Sequence, residues 1–75
     1  MSVATETLDD LLRPVIDSEG LTSWAHKNYL HPYTVYRLRR GRWKRAPHAT
    51  TIRQIARGLR LSVERVEAAV RRSRK

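Results

Sequence analysis

The sequence predicts an all-helical domain of five short helices. Two observations favour this fold class: apolar residues recur at helical spacing, and no stretch of four or more residues alternates apolar and polar side chains in a β-branched run. A chain of 75 residues with 40% apolar side chains can close one small core. We therefore expect one domain over residues 7–71, with a flexible N-terminus at 1–6 and a basic tail at 72–75.

The first predicted helix is marked at both ends. Thr7 and Asp10 have the spacing of a capping box, and Gly20 is suited to stop the helix. Pro14 leaves two alternatives open. A start near Asp9 or Asp10 places the missing N–H close to the first turn, whereas an earlier start implies a kink.

The second predicted helix is very short. Thr22 or Ser23 can cap it, and Asn28 is suited to a left-handed exit at its end. Trp24 and Ala25 are its predicted inward residues.

The third predicted helix follows a histidine and a proline. His31 takes the N-cap position, and Pro32 takes the first helical position, where its missing N–H is harmless. The helix then runs to Arg40, and Gly41 stops it. A basic loop over residues 42–46 comes next.

Two further helices are predicted after this loop. An apolar stripe at i, i+3, i+4 and i+7 spacing predicts the fourth helix, and Ser62 is the predicted cap of the fifth. The stripe comprises Ile52, Ile55, Ala56 and Leu59. Three valines share one face of the fifth helix, namely Val63, Val66 and Val70. They either close the core or supply a dimer contact.

Charge is distributed unevenly along the chain. The formal net charge is +9, but the first 20 residues carry −4 and the remaining 55 carry +13. The densest run has six cations in nine residues with no acid between them: Arg37, Arg39, Arg40, Arg42, Lys44 and Arg45. Such a run suits a polyanion, because binding releases counterions. We expect a nucleic-acid partner, and the alternative is a solvated surface.

The third helix has two different faces. If Val35 and Leu38 face the core, the opposite face carries Tyr33, Tyr36, Arg37 and Arg40. An arginine can pair bidentately with guanine in the major groove, and a tyrosine can donate to a phosphate or pack on a thymine methyl. The alternative is that Tyr29, Tyr33 and Tyr36 only border the core.

Two stretches of the chain resemble a known family. GLTSWAHKNYLHPYTVYRLRRG and APHATTIRQIARGLRLS resemble the five-helix, lambda-repressor-like domain of the Cro/C1 (XRE) repressors, and WAHKNYLHPYTVYRLRRG is also similar to small phage regulators of the Ner and BcepMu gp16 types. The resemblance implies a helix-turn-helix over about residues 22–40, in which the second helix enters the major groove. Tyr29 and Arg60 stand where that family commonly has glycine.

The resemblance also implies which residues touch DNA. Base contacts fall on Pro32, Tyr33, Tyr36 and Arg37, of which Tyr33 and Arg37 are the strongest candidates because proline cannot donate. Phosphate contacts fall on Thr22, Ser23, His31, Arg40, Arg42, Lys44 and Arg45.

The expected function is sequence-specific binding of double-stranded DNA by a Cro-like repressor of a phage or mobile element. A homodimer is one expected form of the protein on DNA. An architectural protein such as an excisionase and the antitoxin of a toxin–antitoxin pair are the alternatives. We expect no enzyme, no small-molecule ligand and no cofactor or metal, since the chain is short, lacks cysteine and has no histidine pair at i, i+4 spacing. No apolar run approaches the ~18 residues that span a membrane, so a cytoplasmic protein is expected.

Overall fold

The computed structural model of the chain describes residues 6–73 and confirms the all-helical prediction. Its five helices are α1 (Leu8–Glu19), α2 (Leu21–Lys27), α3 (Pro32–Arg40), α4 (Ala49–Leu59) and α5 (Val63–Ser73), and no strand occurs in this range. The expectations for residues 1–5 and 74–75 lie outside the described residues. At both ends the folded unit reaches slightly further than expected, since Glu6 and Ser73 are buried.

The start of α1 confirms the predicted capping box. The Thr7 hydroxyl accepts a hydrogen bond from the Asp10 backbone N–H at 3.3 Å, and the Thr7 backbone N–H donates to the Asp10 carboxylate at 2.9 Å. Of the two alternatives for Pro14, the earlier start is correct. Pro14 lies well inside α1 and offers no N–H to the carbonyl four residues before it.

A single glycine joins α1 to α2. Gly20 ends α1 through its N–H, which donates to the Ile16 carbonyl at 2.8 Å, and it is also the N-cap of α2. Its φ of 87° is in the region that favours glycine. The prediction that Thr22 or Ser23 caps α2 is therefore wrong. Both lie inside its first turn, because Gly20 is the single residue between the two helices.

The turn between α2 and α3 places its left-handed residue one position later than predicted. Asn28 has a φ of −106°, whereas Tyr29 has a φ of 59°. The Asn28 side chain is used elsewhere, since its amide donates to the Trp24 carbonyl at 2.8 Å and its oxygen packs against α4. A Cβ added at Gly58 would lie only 2.5 Å from that oxygen. Gly58 thus allows the turn to rest directly on the α4 backbone.

Both ends of α3 agree with the sequence prediction. His31 is the N-cap, and its Nδ1 accepts a hydrogen bond from the Tyr33 backbone N–H at 3.1 Å. Pro32 occupies the first helical position. Gly41 is the left-handed C-cap, with a φ of 68°. The exposed face of α3 is therefore fixed at its two ends by local contacts.

The remaining caps are also local. His48 is the N-cap of α4 but makes no side-chain cap hydrogen bond, and Arg60 ends that helix with a φ of 59°. The predicted cap of α5 is confirmed, since the Ser62 hydroxyl accepts from the Arg65 backbone N–H at 3.2 Å. Arg60 and Tyr29 are the non-glycine residues of the described range that have positive φ.

The core is organised around α1, which packs against each of the other four helices. Its fully buried side chains are Leu8 and Leu12. The rest of the core comprises Trp24, Ala25, Leu30, Val35, Leu38, Ile52, Ile55, Ala56, Val66, Ala69 and Val70. Val66 and Val70 are buried within the monomer and Val63 packs against the core from the edge, so the α5 valines close the core, which is the first of their two predicted roles.

The two ends of the described chain are joined by polar contacts. Glu6 and Arg65 form an ion pair with an Nε–Oε1 distance of 2.6 Å, and Arg72 donates to the Glu6 carbonyl at 3.0 Å. The Leu8 backbone N–H donates to the Ser73 hydroxyl at 2.7 Å. We call this set of contacts the terminal clasp. The hydrogen bond from Arg65 and its charge lower the pKa of the Glu6 carboxyl, although burial acts in the opposite direction.

Replacing the left-handed arginine with glycine is expected to stabilise the fold. A non-glycine residue in this conformation costs about 1–2 kcal/mol, so Arg60→Gly should raise the free energy of unfolding by about 1 kcal/mol in urea titrations. Arg53→Gly is the matched control, because it places glycine inside α4 and should lower stability by about 1 kcal/mol. Equal destabilisation by both variants would show that Arg60 makes a contact worth more than its strain.

The terminal clasp should make stability depend on pH. Because the folded-state pKa of Glu6 is lowered, its contribution is present above the unfolded-state pKa of about 4.3 and is lost as pH falls through the lower folded value. At pH 7, Glu6→Gln should therefore melt at a lower temperature than the wild-type protein, and this difference should shrink below about pH 4. Glu67→Gln, which changes an exposed acid of α5, should show a small difference with no such trend.

Candidate functional site

The outer face of α3 has the composition predicted from its spacing. Val35 and Leu38 are buried, as expected. The opposite face presents the exposed residues Tyr33, Tyr36, Arg37 and Arg40. Tyr33 is 59% exposed, Tyr36 44% and Tyr29 85%. Tyr29 and Tyr33 are thus mostly exposed, whereas the half-exposed Tyr36 also fits the alternative of a residue at the core edge.

The four residues of this face are organised as a ladder of rings and cations. The Tyr33 and Tyr36 rings are stacked, with centroids 6.3 Å apart and planes inclined by 23°. The Arg37 guanidinium carbon lies 5.7 Å from the Tyr33 ring centroid, and that of Arg40 lies 5.4 Å from the Tyr36 centroid. We call this set the Tyr–Arg ladder. Each cation–π contact is worth about 0.5–1 kcal/mol at an exposed site, so the arginines are partly ordered without a partner.

The basic loop continues this face beyond the end of α3. Arg42, Lys44 and Arg45 are exposed, and the Trp43 side chain between them packs against the core. Arg37 links the helix to the loop, since its Nε donates to the Arg42 carbonyl at 3.4 Å. An open groove of about 710 Å³ lies between helix and loop, and it is lined by Arg37, Gly41, Arg42, Trp43, Lys44 and Arg45.

One arginine of the dense basic run, Arg39, pairs with an acid of α1. Arg39 donates to the Asp9 carboxylate of α1 from Nε at 2.9 Å and from Nη2 at 2.8 Å. Arg13 pairs with the same carboxylate. Burial acts to raise the pKa of Asp9, but the hydrogen bonds and charges of the two arginines lower it overall. The Asp9 carboxylate is thus bound to Arg39, and it also lines a groove with Tyr36, Arg40 and Arg42. The helix α3 itself contributes no acid to the ladder face.

The structure brings together some of the predicted contact residues and separates others. The ladder residues and the loop cations share one surface. Pro32 is partly buried at the start of α3, and the Nδ1 of His31 is occupied by the Tyr33 N–H. Thr22 and Ser23 are exposed in the first turn of α2, and neither lines the groove of α3 and the loop.

A second exposed feature was not assigned a role from the sequence. Tyr29 combines a left-handed backbone with an almost fully exposed side chain. It lines an open groove of about 290 Å³ with Lys27, Asn28, Gln54 and Arg57. The available signal was its position, because Tyr29 stands where the resembling family commonly has glycine. An L-residue there carries a conformational cost that its own packing does not offset.

Other kinds of site are not found in the described residues. Over residues 6–73, no group of three or more histidine, cysteine, aspartate or glutamate side chains is arranged to hold a metal ion. None of the helices in that range is both long and apolar enough to cross a membrane.

Comparison of the chain with protein-family models, curated proteins and solved structures gave no match. The candidate site is therefore defined by the geometry of α3 and the basic loop. Its central feature is a stacked tyrosine pair with two arginines on a face to which α3 contributes no acid.

Neighbouring arginines on α3 should behave differently when truncated. Arg39→Ala breaks a half-buried ion pair and should lower the free energy of unfolding by about 1 kcal/mol. Arg40→Ala should change it by less than about 0.5 kcal/mol, because relief of repulsion from the neighbouring cations offsets the lost contact with the Tyr36 ring. Urea titrations of both variants measure this difference. Adding Asp9→Asn to Arg39→Ala should cost less than Asp9→Asn alone. Independent, additive losses would contradict a stabilising Asp9–Arg39 pair.

Proposed function

We propose that the chain is a sequence-specific, double-stranded DNA-binding transcription regulator of helix-turn-helix type, a Cro-like repressor of a phage or mobile element that acts in the cytoplasm. The observation that carries this proposal is the outer face of α3. It presents Tyr33, Tyr36, Arg37 and Arg40 together, with no acid among them, on a helix whose other side is buried.

The dimensions of α3 suit the major groove. An α-helix with its side chains is about 10–12 Å wide, and the major groove is about 12 Å wide. Arg37 lies near the middle of the exposed face, where its guanidinium fork can pair with guanine O6 and N7. Tyr33, one turn earlier, is the second base-reading candidate. Pro32 and Tyr36 complete the proposed base-contacting set.

The connection between α2 and α3 supports the helix-turn-helix assignment. The two helices pack against each other and are joined by residues 28–31. In such a unit the first helix lies across the DNA backbone while the second enters the groove. Thr22 and Ser23 would then meet a phosphate at the start of α2, and His31 would meet one at the start of α3.

The loop cations supply the electrostatic part of the proposed binding. Arg40, Arg42, Lys44 and Arg45 flank the groove-facing side of α3, and each neutralised phosphate releases counterions. This contribution does not depend on sequence. If the protein binds as a homodimer, its interface lies on a surface other than the buried valines of α5.

Selection from a random duplex pool at about 150 mM salt tests the proposed function. A recurrent motif bound at least ~1,000-fold more tightly than a scrambled duplex would support the regulator, and a two-fold motif would support a dimer on DNA. No motif, with equally steep weakening of both duplexes by salt, would favour an architectural protein. Co-purification with a toxin would instead favour an antitoxin.

Two arginines separate base reading from phosphate binding. Arg37→Ala should weaken binding to the selected duplex by about 1–3 kcal/mol and relax the preference at one base pair. Arg45→Ala should weaken binding to selected and scrambled duplexes alike and should reduce the slope of log affinity against log salt by about 1. Competition titrations over a salt series measure both effects. Uniform weakening by Arg37→Ala would contradict its base-reading role.

A further inference from the structure

The outer face of α3 contains one apolar element among its cations, namely the stacked rings of Tyr33 and Tyr36. About half of each residue remains exposed even though the rings touch each other and the arginines. Covering water-exposed aromatic surface with an apolar group is favourable, because it lowers the free energy. A partner of this face should therefore present apolar groups as well as negative charge.

In the major groove of DNA, one kind of base substituent is apolar. Hydrogen-bond donors and acceptors line the base edges, and the exception is the C5-methyl group of a pyrimidine. Thymine carries this methyl in ordinary DNA, and 5-methylcytosine carries it in methylated DNA. The exposed tyrosine rings suit this group. A methyl can pack on a ring, and this contact does not displace the water that hydrates the phosphates.

The separation of the two rings sets the expected spacing of the methyl groups. The ring centroids are 6.3 Å apart. Successive bases along a strand rise by about 3.4 Å and are also rotated about the helix axis, so methyl groups one step apart are separated by more than about 3.4 Å and those two steps apart by more than about 6.8 Å. The ring separation lies between these two limits, so the rings match methyl groups one or two base pairs apart.

The arginine beside Tyr33 indicates where a guanine should lie relative to the methyl group that Tyr33 would cover. The Arg37 guanidinium lies 5.7 Å from the Tyr33 centroid and is also held by its hydrogen bond to the Arg42 carbonyl. Its fork thus stays next to the ring, within about two base steps of the methyl that the ring would cover. A guanine paired with Arg37 would accordingly lie one or two base pairs from that pyrimidine.

From these distances we propose that Tyr33 and Tyr36 are specificity-determining residues that bind two pyrimidine C5-methyl groups one or two base pairs apart. The guanine that Arg37 pairs with lies one or two base pairs from the methyl beneath Tyr33. This inference rests on the proposed function, since it assumes that α3 enters the major groove. It adds which chemical group the tyrosines recognise and at what spacing.

Uracil substitution tests the proposal directly, because uracil lacks the C5-methyl but keeps the base-pairing groups of thymine. In the duplex recovered by selection, each thymine is replaced singly by uracil and the dissociation constant is measured with the full chain. Loss of one buried methyl should weaken binding about fourfold. We expect this loss at two thymines one or two base pairs apart and almost none elsewhere.

Variants of the two tyrosines assign each methyl to its ring. With Tyr33→Ala the uracil effect should disappear at one of the two positions, and with Tyr36→Ala it should disappear at the other. Tyr33→Phe and Tyr36→Phe are the matched controls, and both should keep the fourfold effect because the ring rather than the hydroxyl covers the methyl. These positions are exposed, so melting temperatures should stay close to wild type.

Thymine and 5-methylcytosine are distinguished as sources of the methyl group by substitutions at the same two positions. Cytosine and 5-methylcytosine are compared there, each paired with guanine. Tighter binding of 5-methylcytosine by about fourfold would extend recognition to methylated DNA, and equal binding would restrict it to thymine.

Each failure has a distinct meaning. If uracil has no effect at any thymine while the motif is still preferred over scrambled DNA, this inference is overturned and the regulator stands. The same holds if the uracil effects persist in both alanine variants, because another group then reads the methyls. If selection recovers no motif at all, the proposed function and this inference fail together.

Discussion

The ion pair between Asp9 and Arg39 is the interaction on which the placement of the outer face of α3 depends. It joins α1, the helix that packs against all the others, to the inner edge of α3. It also engages the Asp9 carboxylate. Together with the burial of Val35 and Leu38, it leaves an outer face in which the arginines contact tyrosine rings and Arg37 also donates to the Arg42 carbonyl.

Local signals in the sequence predicted most of the fold. The capping box of Thr7 and Asp10, the start of α3 at His31 and the cap at Ser62 all involve residues within three positions of each other, so their spacing alone is informative. The two faces of α3 follow from helical periodicity in the same way. These features are fixed by short stretches of chain, and a single sequence contains them in full.

Pairings across the fold were not predictable from one sequence. Arg39 and Asp9 are 30 residues apart, and Arg65 and Glu6 are 59 apart, so nothing in the spacing marks them as partners. The α2 errors have a different cause. Asn28 was expected to be left-handed because its side chain tolerates that conformation, but contacts with Trp24 and Gly58 use that side chain, and Tyr29 takes the strained position instead.

The terminal clasp has a consequence for the order of folding events. It closes a loop of about sixty residues, whereas the helix caps and the α2–α3 turn form over three to five. Closing a short loop costs less conformational entropy than closing a long one, so local contacts form first. We therefore expect the clasp to be largely absent at the folding transition state. Weakening it should then act mainly on the unfolding rate, so that the clasp determines how long the native state lasts more than how quickly it is reached.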